Sequence, residues 1–473
     1  MPGKTYVCID LKSFYASVEC AERGLDPFRD NLVVADPDRT EKTICLAITP
    51  AMKALGVRNR CRVFEIPPGI DYVMAKPRMR LYMQKSAEIY AIYLRFVSAE
   101  DVHVYSIDEC FIDATPYLSL YGVDARTFAR MLMDAVFDET RICATAGVGT
   151  NLFLAKVALD ITAKHAPDNI GFLDEESFKR EVWFHEPITD IWQIGPGIAR
   201  RLAKYGVRNL AGVAAMDSAT LYREFGKNAE YLIDHAWGQE PCTIAEIQAY
   251  EPEAHSLVNG QVLSCDYTFD EARTVMREMA EASILELVEK GLVAEGISLM
   301  VGYSRTAGPD GVQVRASASE PELPAKAAKA APSALPELPA SPAKAEFFDD
   351  GHGKRPVQGG RYGQHTGGSR KLGRRTNSRR FLIERLEELF DETTLRDVPI
   401  RRVNIGFSGL LPEEHSTRTL FDDVRADERE RSLQEALVAV RGKFGGNAML
   451  RLSSLQEKAT ARERNEQVGG HHA

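Results

Sequence analysis

The stretch HVYSIDECFID, residues 103–113, places two adjacent carboxylates, Asp108 and Glu109, between two apolar runs. Two β-prone runs separated by only two residues predict a hairpin. An acidic pair in a hairpin is most often a solvated turn, so the pair taken alone favours a surface turn over a metal site. The weight shifts towards a metal site only when other carboxylates join the pair.

A third carboxylate, Asp10, ends the strand-like run KTYVCID, and an aromatic pair follows it in DLKSFYA. Carboxylates on neighbouring strand ends repel one another unless they share cations, and such oxygen-rich sites suit Mg²⁺ or Mn²⁺. Two such ions about 3.5–4 Å apart can hold both the attacking and the leaving oxygen of a phosphoryl transfer. Lys53 and Lys156 are then candidate phosphate contacts, with a solvated helix face as the alternative for each.

The composition is that of a globular protein, with 473 residues, 44% hydrophobic and 27% charged. This length exceeds what one hydrophobic core serves, so we expect two to four domains. The sequence shows neither a signal peptide nor a run of about 18 uncharged apolar residues, so we expect a cytoplasmic protein without membrane contact. Eight scattered cysteines without a CxxC pair favour reduced thiols over a disulfide framework or a zinc site.

Strands and helices alternate up to residue 149 and include the hairpin, which indicates an α+β domain. Residues 78–98 have a helical period. Their expected core positions are Leu81, Met83, Ile89, Ile92, Leu94 and Phe96. From about residue 255 a β-α-β order is interrupted by residues 306–346, which are mostly Ala, Pro, Ser, Glu and Lys. Such a composition buries too little apolar surface to offset the entropy of ordering, so we expect a disordered insertion.

Two segments predict DNA contacts. In IGPGIARRLAKYG (194–206) a Gly-Pro-Gly turn precedes a basic helix, and amides at such a turn can meet a DNA phosphate without reading sequence. The candidate contacts there are Gly195, Gly197, Arg200, Arg201 and Lys204. An ordinary helix connection is the alternative.

Residues 351–380 carry nine basic side chains and no acidic one, and this local charge outweighs the net charge of −9 as a guide to partners. The candidate DNA contacts there are Arg370, Lys371, Arg374 and Arg375. A solvated basic linker is the alternative for residues 354–361.

Three motifs, CIDLKSFYASVE, YSIDECFID and AGVGTNLFLAKVALDITAK, together resemble the Y-family of translesion DNA polymerases, in particular its UmuC-like branch in Gram-positive bacteria. The resemblance runs from about residue 4 to 305 and resumes at about 365. It implies an α+β multidomain right-hand polymerase with a palm, small fingers, a helical thumb with a helix-hairpin-helix, and a β-α-β-β-α-β little finger that carries the disordered insertion.

The resemblance also implies domain boundaries. These are palm 1–25 and 78–167, fingers 26–77, thumb 168–240, little finger 250–425 with the insertion at 306–360, and a C-terminal tail 426–473.

By this resemblance, Asp10, Asp108 and Glu109 are the catalytic carboxylates that bind two Mg²⁺ ions, with Mn²⁺ as a substitute, and the carbonyl of Leu11 adds a ligand. Tyr15 matches the steric gate that excludes ribonucleotides. The implied nucleotide-binding set is Phe14, Tyr15, Thr49, Lys53 and Lys156.

One of these positions departs from the family pattern. Lys53 lies in PAMK, where many members have a Tyr-x-x-Arg motif, so no tyrosine is present. We expect Thr49 to replace part of the contact that a tyrosine would make.

The implied function is low-fidelity, DNA-templated DNA synthesis past damage, by two-ion transfer of deoxynucleotides to a primer. Primer-template DNA and deoxynucleoside triphosphates would be the partners of a monomeric enzyme. TRTLFDD (417–423) is similar to a sliding-clamp peptide, with Leu420 and Phe421 as contacts and core packing as the alternative. The need for a recombinase filament or an accessory subunit stays open.

Two other functions match part of the pattern. One is a non-catalytic DNA-binding accessory protein on the same fold, which the retained carboxylates disfavour. The other is a nucleotidyl cyclase, but the GGDEF signature of that class is absent.

Overall fold

The computed structural model describes residues 3–38, 40–251, 256–304, 346–349, 354–360, 363–417 and 423–472. The chain divides into two compact units, residues 1–251 with 471–473, and residues 252–470. Both units mix helices and strands, in agreement with the expected α+β class. Within the described ranges, no helix is long and apolar enough to cross a membrane.

The first unit contains eight strands among its described residues before Glu251. They are β1 (Tyr6–Leu11), β2 (Leu32–Val34), β3 (Ala47–Ile48), β4 (Val73–Ala75), β5 (Val102–Val104), β6 (Glu109–Asp113), β7 (Ala144–Gly149) and β8 (Ile170–Leu173). The helices are α1 (Phe14–Arg23), α2 (Pro50–Ala54), α3 (Met79–Tyr93), α4 (Thr115–Tyr121), α5 (Ala125–Thr140), α6 (Leu152–Val157), α7 (Glu175–Glu181), α8 (Pro196–Ala203), α9 (Leu210–Ala214), α10 (Ser218–Phe225), α11 (Ala229–Ala236) and α12 (Ile244–Ala249).

Five of these strands form a central sheet in the order β5-β6-β1-β7-β8, in which β1 is antiparallel to both β6 and β7. Strands β2, β3 and β4 form a separate small sheet in the order β3-β2-β4. Strand β1 is buried at every position except Asp10, which is half-buried near the end of the strand. Strand β1 therefore brings the carboxylate of Asp10 to the edge of an otherwise buried strand.

Helix α3 agrees with the expected core positions only in part. Ile89 and Ile92 are buried as expected, but Met83 is 51% and Leu94 38% exposed. Tyr82 and Tyr93 are buried instead. The helix ends at Tyr93, so Leu94 falls outside the regular spacing of the buried stripe.

Two glycines in β7 let helix α6 pack directly on the sheet. A Cβ at Gly147 would lie 2.1 Å from the carbonyl oxygen of Ala155, and one at Gly149 would lie 2.2 Å from its nitrogen. A π-helical turn, Ala158–Thr162, follows α6. The AGVG sequence therefore fixes how closely Lys156 in α6 approaches the carboxylates of the neighbouring strands.

The described elements after Glu251 begin with the long strand β9 (Ser256–Tyr267). The other strands are β10 (Leu292–Tyr303), β11 (Glu346–Asp349), β12 (Lys354–Gly360), β13 (Gly363–Thr376), β14 (Ile400–Ser408), β15 (Leu411–Pro412), β16 (Gln467–Val468) and β17 (His471–His472). The helices are α13 (Phe269–Glu289), α14 (Arg379–Thr393), α15 (Val424–Phe444) and α16 (Ala461–Asn465).

The large sheet of the second unit has the order β11-β12-β13-β10-β14-β9, with β15 beside β10, and all its neighbouring strands are antiparallel. Inward residues of β10 and β14 form one apolar cluster with residues of α13 and α14. The two helices therefore cover one face of this sheet.

The expected disordered insertion, 306–360, differs from the structure in its second part. Residues 305–345 lie outside the described residues. Strands β11 and β12, however, fall inside the expected insertion and extend the sheet beyond β13.

The described residues 423–470 belong to the second unit. Backbone N–H groups of Thr460 and Ala461 donate to Oε2 of Glu278 on α13, at 2.9 and 3.0 Å. Glu278 is only 5% exposed, so the two donors stabilise a carboxylate that has been removed from water. The tail is therefore an integral part of this unit.

Candidate active site

The β1–β6 pairing brings together the three acidic residues predicted to form a metal site. Asp10 lies directly opposite Glu109 in the antiparallel register. Asp108 occupies the hairpin loop just before Glu109, and its carbonyl accepts a hydrogen bond from Leu11 N at 2.9 Å. Residues nearly 100 positions apart in the chain thus meet at one corner of the central sheet.

The electrostatics of this corner disfavour three negative charges. Burial raises the pKa of Asp10 to about 7, and the charges of Asp108 and Glu109 act in the same direction. Asp108 is oriented by Ser106, whose hydroxyl donates to Oδ1 of Asp108 at 2.6 Å. A cation would relieve the repulsion, so this donor set has the chemistry of a divalent metal site.

Glu109 is held by a lysine. Lys156 Nζ lies 2.9 Å from Oε1 of Glu109 and 3.0 Å from Oδ1 of Asp160, and Lys156 is buried. Burial alone would lower the pKa of Lys156, but the two carboxylates outweigh it and the pKa is raised. Cys8 Sγ also lies 3.2 Å from Oε1 of Glu109.

This arrangement of Lys156 differs from the expected phosphate contact. Its amine is engaged by two carboxylates beneath the site. In the described parts of the chain, no group of three or more His, Cys, Asp or Glu side chains is arranged to hold a metal ion. Asp10, Asp108 and Glu109 thus share one corner of the sheet and are suitable metal ligands, but Glu109 bonds to Lys156 and the three are not arranged around one point.

Other lysines lie near Asp10. The pKa of Lys53 is lowered, first by partial burial of its amine and then by the positive charges of Lys12 and Lys164, while Asp10 opposes the shift. Lys164 is exposed. Lys164 ends the quoted motif AGVGTNLFLAKVALDITAK, but the sequence alone did not show that its charge acts on Lys53.

Thr49 does not match its expected role. Its side chain is fully buried, and its hydroxyl accepts a hydrogen bond from Leu32 N at 3.2 Å. Thr49 is also the residue before α2, the helix that carries Lys53. Its hydroxyl thus joins two structural elements and only indirectly positions Lys53.

Tyr15 lies in the first turn of α1, directly after Phe14, whose ring is buried. The pKa of Tyr15 is raised, first by burial and then by the charge of Asp108. Helix α1 begins three residues after the end of β1, so Tyr15 follows closely on the strand that carries Asp10. The first N–H groups of α1 point out of its N-terminus, where an anion would be favoured.

The expected DNA-binding turn is displaced by a few residues. Gly195 is the residue before α8, and Gly197 is already helical. The turn lies instead at residues 192–193, where Gln193 has a φ of 66°. The expected tight turn at residues 195–197 is therefore the start of a helix.

The three basic residues of α8 are not equivalent. Arg200 and Lys204 are exposed one turn apart. Arg201 lies 4.2 Å from the ring centroid of Phe225 and 3.6 Å from Glu224. Of the three, Arg200 and Lys204 are exposed, while the half-buried Arg201 is engaged by Phe225 and Glu224.

The basic residues of β13 separate in the same way. Arg370 is opposite the buried Ile297 and ion-pairs with Glu388 at 3.2 Å, so it faces the helices. The guanidinium of Arg374 lies 3.6 Å from the ring centroid of Phe381 on α14. These two candidates stabilise the helix-covered side of the sheet.

Lys371 lies on the opposite, open face of the sheet and is exposed. Arg402 of β14 is on the same face, since both residues pair with glycines of β10 that are an even number of positions apart. Arg375 lies 3.9 Å from Glu295. Sequence reasoning missed Arg402, because it lies outside the basic stretch, and the register of β14 was needed to find it.

The expected clamp contacts, Leu420 and Phe421, lie outside the described residues.

Comparisons with known proteins agree with the motifs. Residues 9–160 match the impB/mucB/samB family model, and residues 254–420 match the C-terminal domain of that family. A protein of Bacillus subtilis (strain 168) named for UV-damage repair, UvrX, is 32% identical over 64% of this chain and 72% of its own length. The chain belongs to the Y-family DNA polymerases.

Further relatives of this Y-family polymerase span its full length. DNA polymerase IV 2 of Bacillus subtilis (strain 168) is 28% identical over 100% of both chains. The solved structure of a Y-family DNA polymerase chimera matches the fold with a TM-score of 0.56 and 18% identity, over 86% of this chain and 99% of the other. Family membership identifies the protein as a DNA-directed DNA polymerase and confirms the expected enzyme class.

Proposed function

We propose that the polymerase acts in translesion synthesis and adds deoxynucleotides to a primer 3′-hydroxyl by two-ion nucleotidyl transfer. The observation that supports this most is the meeting of Asp10, Asp108 and Glu109 at the β1–β6 corner in a chain of this family. The central sheet would be the palm (1–25 and 78–167), and the small sheet the fingers (26–77). Helices α7 to α11 would form the thumb (168–240), and the second unit up to residue 425 the little finger.

Asp10, Asp108, Glu109 and the carbonyl of Leu11 would hold the two ions, with Mg²⁺ as the physiological cation and Mn²⁺ as a substitute. Such ions lower the pKa of an attacking hydroxyl and neutralise a triphosphate. Asp108 is kept in place by Ser106 and by the Leu11 bond to its carbonyl, so it needs little reorganisation on binding. Lys156 keeps Glu109 at the same corner.

The triphosphate would lie between the N-terminus of α1 and two lysines, Lys53 and Lys164, of which Lys164 acts on the pKa of Lys53. The amides of Phe14 and Tyr15 would donate to its oxygens. Lys53 and Lys164 would neutralise its charge. In this assignment Lys164 replaces Lys156 as the second phosphate contact.

Tyr15 would be the steric gate, because it lies in the first turn of the helix that follows Asp10, and the charge of Asp108 acts on its phenol. A 2′-hydroxyl on an incoming nucleotide would meet this ring. Deoxynucleotides would therefore be preferred over ribonucleotides.

Primer-template DNA would contact the second half of α8 through Arg200 and the residue after its end, Lys204, and the open face of the large sheet through Lys371 and Arg402. These contacts reach phosphates and would carry no sequence information. A sliding-clamp contact through Leu420 and Phe421, and action as a monomer, are proposals from the sequence alone.

The test is primer extension on a defined template with Mg²⁺ and deoxynucleotides. Asp108→Asn should abolish extension. Asp138→Asn, which makes the same change at an exposed site on α5, should leave it intact. Equal activity of Asp108→Asn and wild type, or extension without a template, would contradict the proposal.

A further inference from the structure

A tryptophan outside the carboxylate corner contacts the hairpin that carries Asp108 and Glu109. Trp192 Nε1 donates a hydrogen bond to the hydroxyl of Tyr105 at 3.0 Å. Their ring centroids are 6.0 Å apart with the planes at 73°, an edge-to-face contact. The two residues are 87 positions apart, so this contact joins two separate elements of the first unit.

Tyr105 is the first residue of the loop that joins β5 to β6. The N–H groups of Tyr105 and Ser106 both donate to the carbonyl of Glu109 at 3.0 Å. On the β1 side, the loop is held by the bond from Leu11 N to the Asp108 carbonyl. On the other side, Trp192 contacts both Tyr105 and Phe111 of β6, with the Phe111 centroid 6.3 Å away.

Trp192 is itself firmly anchored. The residue before it, Ile191, is 2% exposed, and Ile194 is 4% exposed. Its ring also stacks on His235, at 6.1 Å and 23°. His235 stacks in turn on Phe153 of α6, at 4.0 Å and 11°. The indole therefore joins a rigid helical core to a loop that carries two carboxylates.

We propose that Trp192 is a positioning residue that holds the Asp108–Glu109 hairpin in its active geometry. The inference rests on the proposed function, because it assumes that these carboxylates bind the catalytic ions. Small displacements of such groups lower rates, since catalytic geometry must be kept within about 0.5 Å. Trp192 also lies one residue before Gln193 in the turn that leads into α8, so the same contact ties the metal corner to the proposed DNA-binding helix.

Two variants remove the hydrogen bond, and of these Tyr105→Phe removes nothing else. Trp192→Phe keeps a ring and loses the N–H donor, and Tyr105→Phe loses the acceptor. Each should lower kcat by about 2- to 10-fold at saturating DNA and nucleotide, the range expected for one hydrogen bond. The double variant should be no worse than Trp192→Phe alone, because the hydrogen bond that Tyr105→Phe removes is already lost in Trp192→Phe.

The matched control is Trp183→Phe. Trp183 Nε1 also donates a hydrogen bond, to the carbonyl of Ala236 at 2.6 Å, but within the helical core. Trp183→Phe and Trp192→Phe should show similar losses of melting temperature. Only Trp192→Phe should lower kcat.

A second readout does not depend on catalysis. Mn²⁺ binding to the full-length protein without DNA, followed by electron paramagnetic resonance, should be about 2- to 10-fold weaker in Trp192→Phe and Tyr105→Phe. Wild-type kcat and Mn²⁺ affinity in both variants, or an equal loss in Trp183→Phe, would overturn the positioning role. If wild type extends no primer, the proposed function fails, while the Mn²⁺ comparison still tests whether Trp192 orders the carboxylates.

Discussion

The ring of Tyr15 stacks on the ring of Tyr82, with centroids 4.6 Å apart and planes at 19°. Tyr82 is fully buried on α3, and its hydroxyl donates to Oε1 of Glu19 at 2.7 Å. The proposed steric gate therefore lies against a second aromatic ring whose own position is fixed by a buried carboxylate.

Glu19 lies one helical turn after Tyr15 and is completely buried. Two nitrogens of Arg78 donate to its oxygens at 2.9 and 2.8 Å, and Arg23 and Tyr82 also bond to it. Burial would raise the pKa of Glu19, but these hydrogen bonds outweigh it and hold the pKa below its usual value. The negative charge of Glu19 is thus paired, and its bond to the Tyr82 hydroxyl fixes the ring on which Tyr15 stacks.

Tyr82→Leu should lower the preference of the polymerase for deoxynucleotides over ribonucleotides. An aromatic pair contributes about 0.5–1.5 kcal/mol beyond burial, so the preference should fall by about 2- to 12-fold. The measurement is the ratio of kcat/KM values for each sugar on the same primer-template. Tyr121→Leu makes the same change on α4, where the ring stacks on Phe128, and should leave the ratio unchanged; a drop there as large as in Tyr82→Leu would argue for a general effect of stability.

Lys156→Met should lower kcat with little change in the KM for nucleotide, because the amine bonds Glu109 and Asp160. Removing one partner of a buried ion pair destabilises a protein by about 3–5 kcal/mol, so melting temperature should fall as well. Lys164→Met and Lys53→Met should instead raise KM. Steady-state kinetics on the three variants separates these effects. A rise in KM for Lys156→Met with unchanged kcat would support the assignment of Lys156 as a phosphate contact, as expected from sequence.

A double variant controls for charge. Lys156→Met leaves the carboxylates of Glu109 and Asp160 without their lysine. Adding Asp160→Asn removes one of these two negative charges. It should recover part of the stability but not the kcat of wild type, since Glu109 still lacks the bond from Lys156.

Asp10→Asn should stabilise the metal-free protein in a pH-dependent way. Asp10 has a pKa raised to about 7, so the folded state disfavours its ionised form. Wild-type stability should fall as pH rises from about 4, the ordinary value for aspartate, to about 7, and then level off. Asparagine cannot ionise, so the melting-temperature advantage of the variant should be near zero at pH 4 and fully present at pH 8.

Divalent cations provide the control for this effect. Mn²⁺ at pH 8 should raise the melting temperature of wild type and much less that of Asp10→Asn, because binding to the folded state alone is stabilising. A variant advantage that is the same at pH 4 and pH 8 would mean that burial of the Asp10 charge is not its source.

The sequence sufficed for the carboxylates because their positions depend on strand ends and a hairpin. Local patterns indicate the strand that ends near Asp10 and the hairpin that carries Asp108 and Glu109, and the family resemblance placed the three in one site. The placement of Lys156 could not be read, because it depends on α6 packing onto Gly147 and Gly149.

Side-chain direction limited the other predictions. Arg370 and Lys371 are adjacent in the sequence, yet they face opposite sides of β13, since side chains alternate along a strand. Likewise, Tyr82 became visible as the support of Tyr15 only when α1 and α3 were placed side by side. Composition identified a basic segment but not which of its cations reach solvent.

Arg200→Gln combined with Lys204→Gln should weaken DNA binding uniformly across sequences. Both side chains are exposed, Arg200 on α8 and Lys204 directly after it, and removing each cation that neutralises a phosphate should reduce the slope of log K against log salt by about 0.9. Arg201→Gln is the matched control, because Arg201 lies over Phe225. Anisotropy titrations between about 50 and 200 mM salt should show a shallower slope for the double variant only. An unchanged slope in the double variant would remove α8 from the DNA contact surface, and a lower slope in Arg201→Gln would mean that its packing against Phe225 yields when DNA binds.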